Sequence, residues 1–344
     1  MAANHHLSFG DDIPPDQLRS AFGSVSVDLP ESPTLAFRIA LPKGWKEVRV
    51  ERKPLEVDRF SVLAAFMASD SLGIQVLGTL VPWEVNLVDW TEYQAFRVGI
   101  KLVEVQSADT EWGQAVHAAA EGSDGARLRI LVVGDGPRVV MLMGRMADGS
   151  DAMAWETLGL AAASFLFSAP SGARTREPVA AYRDPDQFFQ VLYPASWTPE
   201  HQSRLRPWKS GADFRIVSDT DTLAYLRIEA DSREPRDETG LAEVLQNTVE
   251  EVAEADVRIE ELTPIPPGEG GGERQRWIGR CALPSGEGQV VLLFRPGARA
   301  WLAAVLISPA KALNPYVWMR GKRFYEMVVA SLLPLRTDDC AASS

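Results

Sequence analysis

The stretch that decides the fold is Phe37-Arg38-Ile39-Ala40-Leu41-Pro42-Lys43-Gly44-Trp45, because it returns as Phe189-Gln190-Val191-Leu192-Tyr193-Pro194-Ala195-Ser196-Trp197. Each copy alternates apolar with polar or small residues, meets a Pro, and reaches a Trp three residues later. A period of two predicts a strand, the Pro its end, and the Trp an anchor beyond the turn. Trp45 and Trp197 lie 152 residues apart, about one domain length. Neither copy carries a chemically active group, so the phrase speaks to architecture.

Outward from the first copy, Ser61–Ser69 and Leu72–Val81 are short apolar runs split at Asp70-Ser71, and both predict strands. Asp89 reads as the N-cap of a helix with Trp90, Tyr93, Phe96 and Ile100 on one face. Strands are expected at Val98–Ser107, at Trp112–Ala120, and at Leu128–Val133 leading into Val139–Met146. Glycine turns at 122–125 and 134–137 divide them. Trp155, Leu158, Ala162, Phe165 and Leu166 keep helical spacing and close the block.

Around the second copy the order repeats. Ala212–Val217 and Leu223–Ala230 predict strands. A helix follows with Leu241, Val244, Leu245, Thr248, Val249 and Val252 on one side and Glu243, Glu250, Glu251 and Glu254 on the solvated other. Strands come next at Val257–Leu262, Glu273–Leu283, Gln289–Phe294 and Ala300–Ser308, then a helix presenting Phe324, Met327, Val328, Ser331 and Leu332. The expected class is α+β: two tandem domains, each an antiparallel sheet covered on one face by two helices. The expected boundaries are an N-terminal extension at 1–33 with a short helix at Asp16–Phe22, domains at 34–169 and 183–336, a linker at 170–182, and a polar tail at 337–344.

The opening strand with its Pro-Lys-Gly-Trp turn, and a closing helix that runs into Ser164-Phe165-Leu166-Phe167 or Ser331-Leu332-Leu333-Pro334, resemble the PsbP/Mog-like superfamily. The resemblance covers most of residues 34–336, once per copy, and the second copy departs from it with Pro-Ala-Ser-Trp. It implies an accessory or binding protein with no catalytic residues to carry over. Within that group, DcrB-like and thylakoid members carry export signals, whereas the EagR chaperones of type VI secretion are cytosolic dimers that shield transmembrane helices of effectors. A tandem chain looks like such a dimer fused into one polypeptide.

Several strands lack the alternation of a sheet with one wet face. Val139–Met143, Val290–Phe294 and Trp301–Ile307 are apolar throughout, and Leu72–Val81 is broken only by Gln75 and Thr79. Helices can cover one face. The second is covered by the other domain or long loops, or it forms an apolar concavity for a client helix. The candidate client-binding residues are Leu77, Met141, Met143, Met146, Leu292 and Val305. Flexible thioethers suit an adaptable surface, although methionines also serve as plain core fillers.

A formal charge of −12 argues against nucleic-acid binding and against adsorption to anionic membranes. At 344 residues, 46% hydrophobic and 24% charged, the composition is that of a globular protein of about two domains. Cys281 sits in a strand-like run and Cys340 in the polar tail, so no structural disulfide is expected, in keeping with a reducing compartment. Met1-Ala-Ala-Asn-His-His lacks a basic n-region and an apolar h-region, and no run approaches the roughly 20 residues of a membrane span. The expectation is a cytoplasmic protein without stable membrane insertion.

Chemical motifs are sparse. His5 and His6 read as solvated, His117 as a sheet histidine without ligand-spaced partners, and His201 as a loop residue on the surface. There is no Gly-x-Ser-x-Gly elbow and no His-Glu-x-x-His helix. Gly268–Gly272 holds Glu269 and precedes Glu273, which suits a hairpin tip and repels phosphate. Asp148–Asp151 and Asp219–Asp221 lack the downstream Glu of a calcium loop. Arg320, Lys322 and Arg323 read as opening the last helix, against its dipole, marking an acidic partner site or an ordinary surface cluster.

No catalytic residue, cofactor or metal is expected. The sequence is therefore read as a non-enzymatic tandem chaperone or adaptor that shields apolar helices of a secretion-system effector. The alternative is a structural or assembly component with a soluble protein partner.

Overall fold

The computed structural model describes residues 21–335 apart from 31, 111–112, 148–151, 174, 203–207, 219–220, 233–257, 266–274, 284–285 and 296–299. The chain divides into two compact units, Met1–Glu177 and Pro178–Ser344. The expected helices at 16–22 and 241–252, the tip at 268–272 and the tail at 337–344 lie outside the described residues, save Ala21 and Phe22.

The first unit runs β1 (Phe22–Val27), β2 (Phe37–Pro42), β3 (Lys46–Val48), β4 (Ser61–Ser69), β5 (Leu72–Leu80), α1 (Leu87–Arg97), β6 (Lys101–Thr110), β7 (Gly113–Glu121), β8 (Arg127–Asp135), β9 (Arg138–Met146), α2 (Ala152–Ala163) and β10 (Leu166–Phe167). The second runs β11 (Val179–Arg183), β12 (Phe189–Pro194), β13 (Thr198–Gln202), β14 (Lys209–Ser218), β15 (Asp221–Asp231), β16 (Arg258–Ile265), β17 (Gln275–Leu283), β18 (Gly286–Arg295), β19 (Trp301–Pro309), α3 (Pro315–Ser331) and β20 (Leu333–Pro334).

Both units use one wiring. A seven-stranded sheet is ordered β3-β4-β5-β9-β8-β7-β6 in the first and β13-β14-β15-β19-β18-β17-β16 in the second. A three-stranded sheet is ordered β1-β2-β10 or β11-β12-β20. Adding ten to each strand number of the first unit reproduces the second. All named strand pairs are antiparallel.

The repeated phrase is the centre of each small sheet, and a hydroxyl ties it to the last helix. Ser164 Oγ accepts from the Ala40 amide at 2.8 Å and donates to the Ala161 carbonyl at 2.7 Å. Ser331 Oγ accepts from the Leu192 amide at 3.0 Å and donates to the Met327 carbonyl at 2.7 Å. The turns also match: Trp45 N–H reaches Pro42 O at 3.3 Å, and Trp197 N–H reaches Pro194 O at 3.0 Å. Gly44 holds φ at +99°, which a side chain resists. Ser196 is not among the residues with positive φ, so the second copy closes the same bond by a different backbone path. Trp197 is buried at 2%, whereas Trp45 is only half-buried against its core.

The helices of the first unit do not share a face. A Cβ built on Gly144 would meet Leu158 of α2, and one built on Gly134 would meet Leu87 of α1. Gly134 pairs with Val139 of β9, and Val139 and Gly144 are an odd number of residues apart on one regular strand. They therefore point to opposite faces. The expectation of two helices on one face gives way here to one helix on each, which is why β8 and β9 are apolar on both sides. Phe37, Phe165 and Leu158 join α2 and the small sheet to one face, with Phe37 and Phe165 stacked at 5.1 Å.

Local readings shift in consequence. Asn86, not Asp89, caps α1, accepting from the Val88 amide at 2.8 Å. The first turn is anchored by Gln114, whose Oε1 takes the Leu87 amide at 2.6 Å. The buried residues of α1 are Leu87, Asp89, Trp90, Thr91, Gln94 and Ala95, while Phe96 is 82% exposed. α2 ends at Ala163 because Leu166 and Phe167 pair with β2 as a strand. Phe22–Val27, placed in an N-terminal extension by sequence, is a strand of the small sheet. α3 starts at Pro315 with Asn314 as its cap, so Arg320, Lys322 and Arg323 sit inside the helix, away from the positive end of its dipole.

The small, polar stretch read as linker is partly bound to the first unit. Ser171 donates through its amide and hydroxyl to Asp135, which is fully buried. The Arg176 amide reaches Glu84 Oε2 at 2.9 Å, and the Glu84 amide reaches Glu177 Oε2 at 3.0 Å. Chain polarity concealed this, because the partners are acidic groups more than 30 residues upstream.

Candidate functional site

α1 packs on β6, β7 and β8, so it screens only that half of its face. The other half belongs to β3, β4, β5 and β9. Register sets Leu77 across from Met141 and Val62, and Gln75 across from Met143 and Ala65. Met67 stands across from Gly73 and Lys46, and Val48 across from Ala65. Val48, Val62, Met67, Leu77, Met141 and Met143 therefore share one strip of sheet. Met141 is 7% exposed and Val48 37%, and the other four are half-buried. Gln75, exposed, stands within the strip between Met143 and Ala65, and Lys46 and Arg145 lie at its polar end in the row of Met67 and Gly73.

Of the six residues singled out from sequence, Leu77, Met141 and Met143 lie together on this strip. Met146 points to the opposite face, 2% exposed, in the core with Trp155 and Leu158. Leu292 and Val305 are paired neighbours in the second unit, each at 0% exposure, packed with Cys281, Val290 and Ile307. They are core residues in this structure, not surface. An apolar run on both faces records that a strand is covered twice and is silent on what covers it. Val48, Val62 and Met67 were missed because only pairing of β3 and β4 with β5 brings them to the strip.

At the same place in the second sheet the chemistry is reversed. Asp213 of β14, fully buried, accepts from Gln202 Nε2 at 2.6 Å, the Tyr225 hydroxyl at 2.6 Å, and Arg227 Nε at 2.9 Å. Lys209 Nζ lies 3.3 Å from Glu229 beside it. Burial drives the Tyr225 phenol strongly upward, helped by its bond to Asp213. The Arg227 guanidinium is opposed by burial but raised by Asp213. The network holds three neighbouring strands, β13, β14 and β15, together. The two units are thus one wiring with unlike strips.

A second exposed feature of the first unit is the edge strand β6. None of its ten residues is buried, and Val103, bulged out between Leu102 and Glu104, is 68% exposed. Phe96 and Val98, at 82% and 60%, stand just before it across the tight turn closed by Ile100 N–H and Ala95 O.

The histidines are placed differently from their sequence reading in one case. His117 is buried at 3% on β7, and desolvation, then Arg129, lowers its pKa to about 4. His201 lies on β13, not in a loop, with Nδ1 3.3 Å from the Tyr182 hydroxyl and 3.8 Å from Asp184. Burial, then Asp184 and Asp186, pushes the Tyr182 phenol up to about 12. Burial pushes the Cys281 thiol up to about 11, which leaves it protonated and unreactive at neutral pH. Among the described residues no three His, Cys, Asp or Glu side chains are grouped to hold a metal ion, and no helix is long and apolar enough to cross a membrane.

No family model matches the chain, and no curated protein compared with it does. Among solved structures it is similar to the cyanobacterial PsbP protein (CyanoP) of Synechocystis, with 11% identity over 43% of this chain and 92% of that one, at a TM-score of 0.33. It is also similar to the T6SS immunity protein TplEi of Pseudomonas aeruginosa in complex with an "L" peptide, with 10% identity over 88% and 97% of the two chains and a TM-score of 0.21. The Tle4–Tli4 complex gives 11% identity over 90% and 97%, at a TM-score of 0.20. These are similarities at low identity and low TM-score, and no function is assigned from them.

Proposed function

We propose that this chain is a non-enzymatic binding protein whose first unit receives an apolar helix of a protein client, in the manner of a chaperone or adaptor for a secretion-system effector. The observation that carries this reading is the strip of Val48, Val62, Met67, Leu77 and Met143, apolar side chains left partly open on the half of the sheet that α1 does not cover. Apolar side chains left partly open in this way mark interaction sites, and thioethers adapt to unlike partners. The fused pseudo-dimer is then asymmetric, because the corresponding strip of the second unit is a bonded ion network.

A second reading rests on β6. An exposed edge strand beside Phe96, Val98 and Val103 suits pairing with an extended segment of a soluble partner, as in a structural or assembly component. Co-expression of the full chain with each product of its neighbouring genes, followed by affinity capture, separates the two. Under the first reading Met67→Glu and Leu77→Glu release a client that carries an apolar helix, while Phe96→Glu and Val103→Lys do not. Under the second the pattern reverses. Capture of no product, or capture that survives all four substitutions, overturns both.

A further inference from the structure

Sulfur is unevenly placed in this chain. Cys281, the one cysteine among the described residues, is buried, and burial holds its thiol protonated. It offers an oxidant neither access nor a thiolate. The thioethers fall into two groups. Met141, Met146 and Met319 are buried, and Met327 is packed against the core of the second unit. Met67 and Met143 are only half-buried, and Met153 is 77% exposed.

Strand pairing accounts for the second group. Met141 and Met143 share a face of β9, but Met141 has Leu77 and Val132 across from it, whereas Met143 faces the exposed Gln75 on one side. Met67 flanks the same strand, β5, from its other edge. A Cβ built on Gly73 would stand 3.2 Å from Met67 Cγ, so this thioether extends across a strand position that carries no side chain. Two of the three accessible thioethers therefore lie on the apolar strip, on either side of β5. The third, Met153, is on α2, which packs on the opposite face of the sheet.

We propose that Met67 and Met143 are oxidation sites through which a hydroperoxide closes the strip to an apolar client, an inference that rests on reading the strip as the client site. In the step, the O–O bond of the peroxide breaks and one oxygen atom passes to Sδ, which gives up two electrons. The product is methionine sulfoxide, and water leaves from hydrogen peroxide or an alcohol from an organic hydroperoxide. A thioether is apolar and adaptable, whereas a sulfoxide oxygen accepts hydrogen bonds. An apolar helix docked over it would leave that acceptor unsatisfied. Oxidation of Met153 leaves the strip unchanged and serves as an internal control for the reagent.

The test exposes the full chain to hydrogen peroxide in steps and locates the added oxygen by peptide mass spectrometry. Met153 should oxidise first and Met67 and Met143 next, well before Met141, Met146 and Met319. The treated chain is then run on a phenyl hydrophobic-interaction column beside a treated Met67→Leu/Met143→Leu chain, in which leucine keeps the volume and Met153 remains. The unaltered chain should lose retention, and the double variant only the part due to Met153, with circular dichroism unchanged in both. Where co-expression supplies a client, oxidation should weaken its capture by about tenfold in the unaltered chain and leave the double variant little affected. Oxidation of Met67 and Met143 no faster than of Met141 and Met146, equal loss of retention in the two chains, or undiminished capture after both are oxidised would overturn the inference and leave the client reading standing. A strip that oxidises and loses retention as described, in a chain that captures no client with or without peroxide, would uphold the oxidation sites and overturn the client reading instead.

Discussion

His117 and Asp213 show at the scale of single residues how burial sets chemistry. His117 is lowered to about 4 from an ordinary 6.5, so between those values the unfolded chain binds a proton that the folded chain refuses. Stability is therefore unaffected above pH 6.5 and falls as pH drops toward 4, by roughly 3 kcal/mol over the full window. His117→Gln should flatten this part of the pH dependence, read by urea unfolding at pH 4.5 and pH 7; an unchanged slope would show that His117 is not its source. Asp213 makes the opposite case, a charge buried because it is paired. Asp213→Ala strands the Arg227 guanidinium and the Tyr225 hydroxyl, and should cost about 3–5 kcal/mol in the same assay. A loss below 1 kcal/mol would mean that water or another acid replaces it.

Elements are joined by single hydroxyls whose worth depends on surroundings. Ser164 serves the partly buried amide of Ala40, and Ser331 serves the exposed amide of Leu192. Water can replace the second acceptor but not the first, so Ser164→Ala should cost about 1–2 kcal/mol and Ser331→Ala under about 1 kcal/mol. Equal losses, measured by thermal unfolding of the two variants, would contradict that ranking. The motif ending each closing helix was visible in sequence, and so were the long strands, since alternation and glycine turns are local signals, whereas the short or outer strands β1, β3, β11 and β13 were not read. Helix limits were less legible. Asp89 has the right residue type for a cap, yet the backbone enters the helix three residues earlier, where Asn86 and Gln114 satisfy the first amides. Phe96 fits a 3.6-residue stripe and is nevertheless exposed, because α1 turns its Trp90 and Leu87 side inward.

For the molecule as a whole, the stretch read as a linker is divided: up to Glu177 it is held on the first unit, and from Val179 it is β11 of the second. Arg176 is held through its amide by Glu84 and through its guanidinium by the Val85 carbonyl at 2.9 Å. Glu84→Ala should therefore raise the rate of tryptic cleavage after Arg176 by about tenfold, by loosening that segment without global unfolding. Cleavage as slow as in the unaltered chain would show that other contacts hold the segment. By itself the sequence determined that one strand order is written twice and that its strands are greasy on both sides, because periodicity and turn residues act over a few positions. Only the tertiary structure decided that α1 and α2 take opposite faces, and that Met146, Leu292 and Val305 are core while Met67 and Leu77 are not. Those outcomes depend on which strands pair and where a helix comes to rest, and both are settled by contacts between residues far apart in the chain.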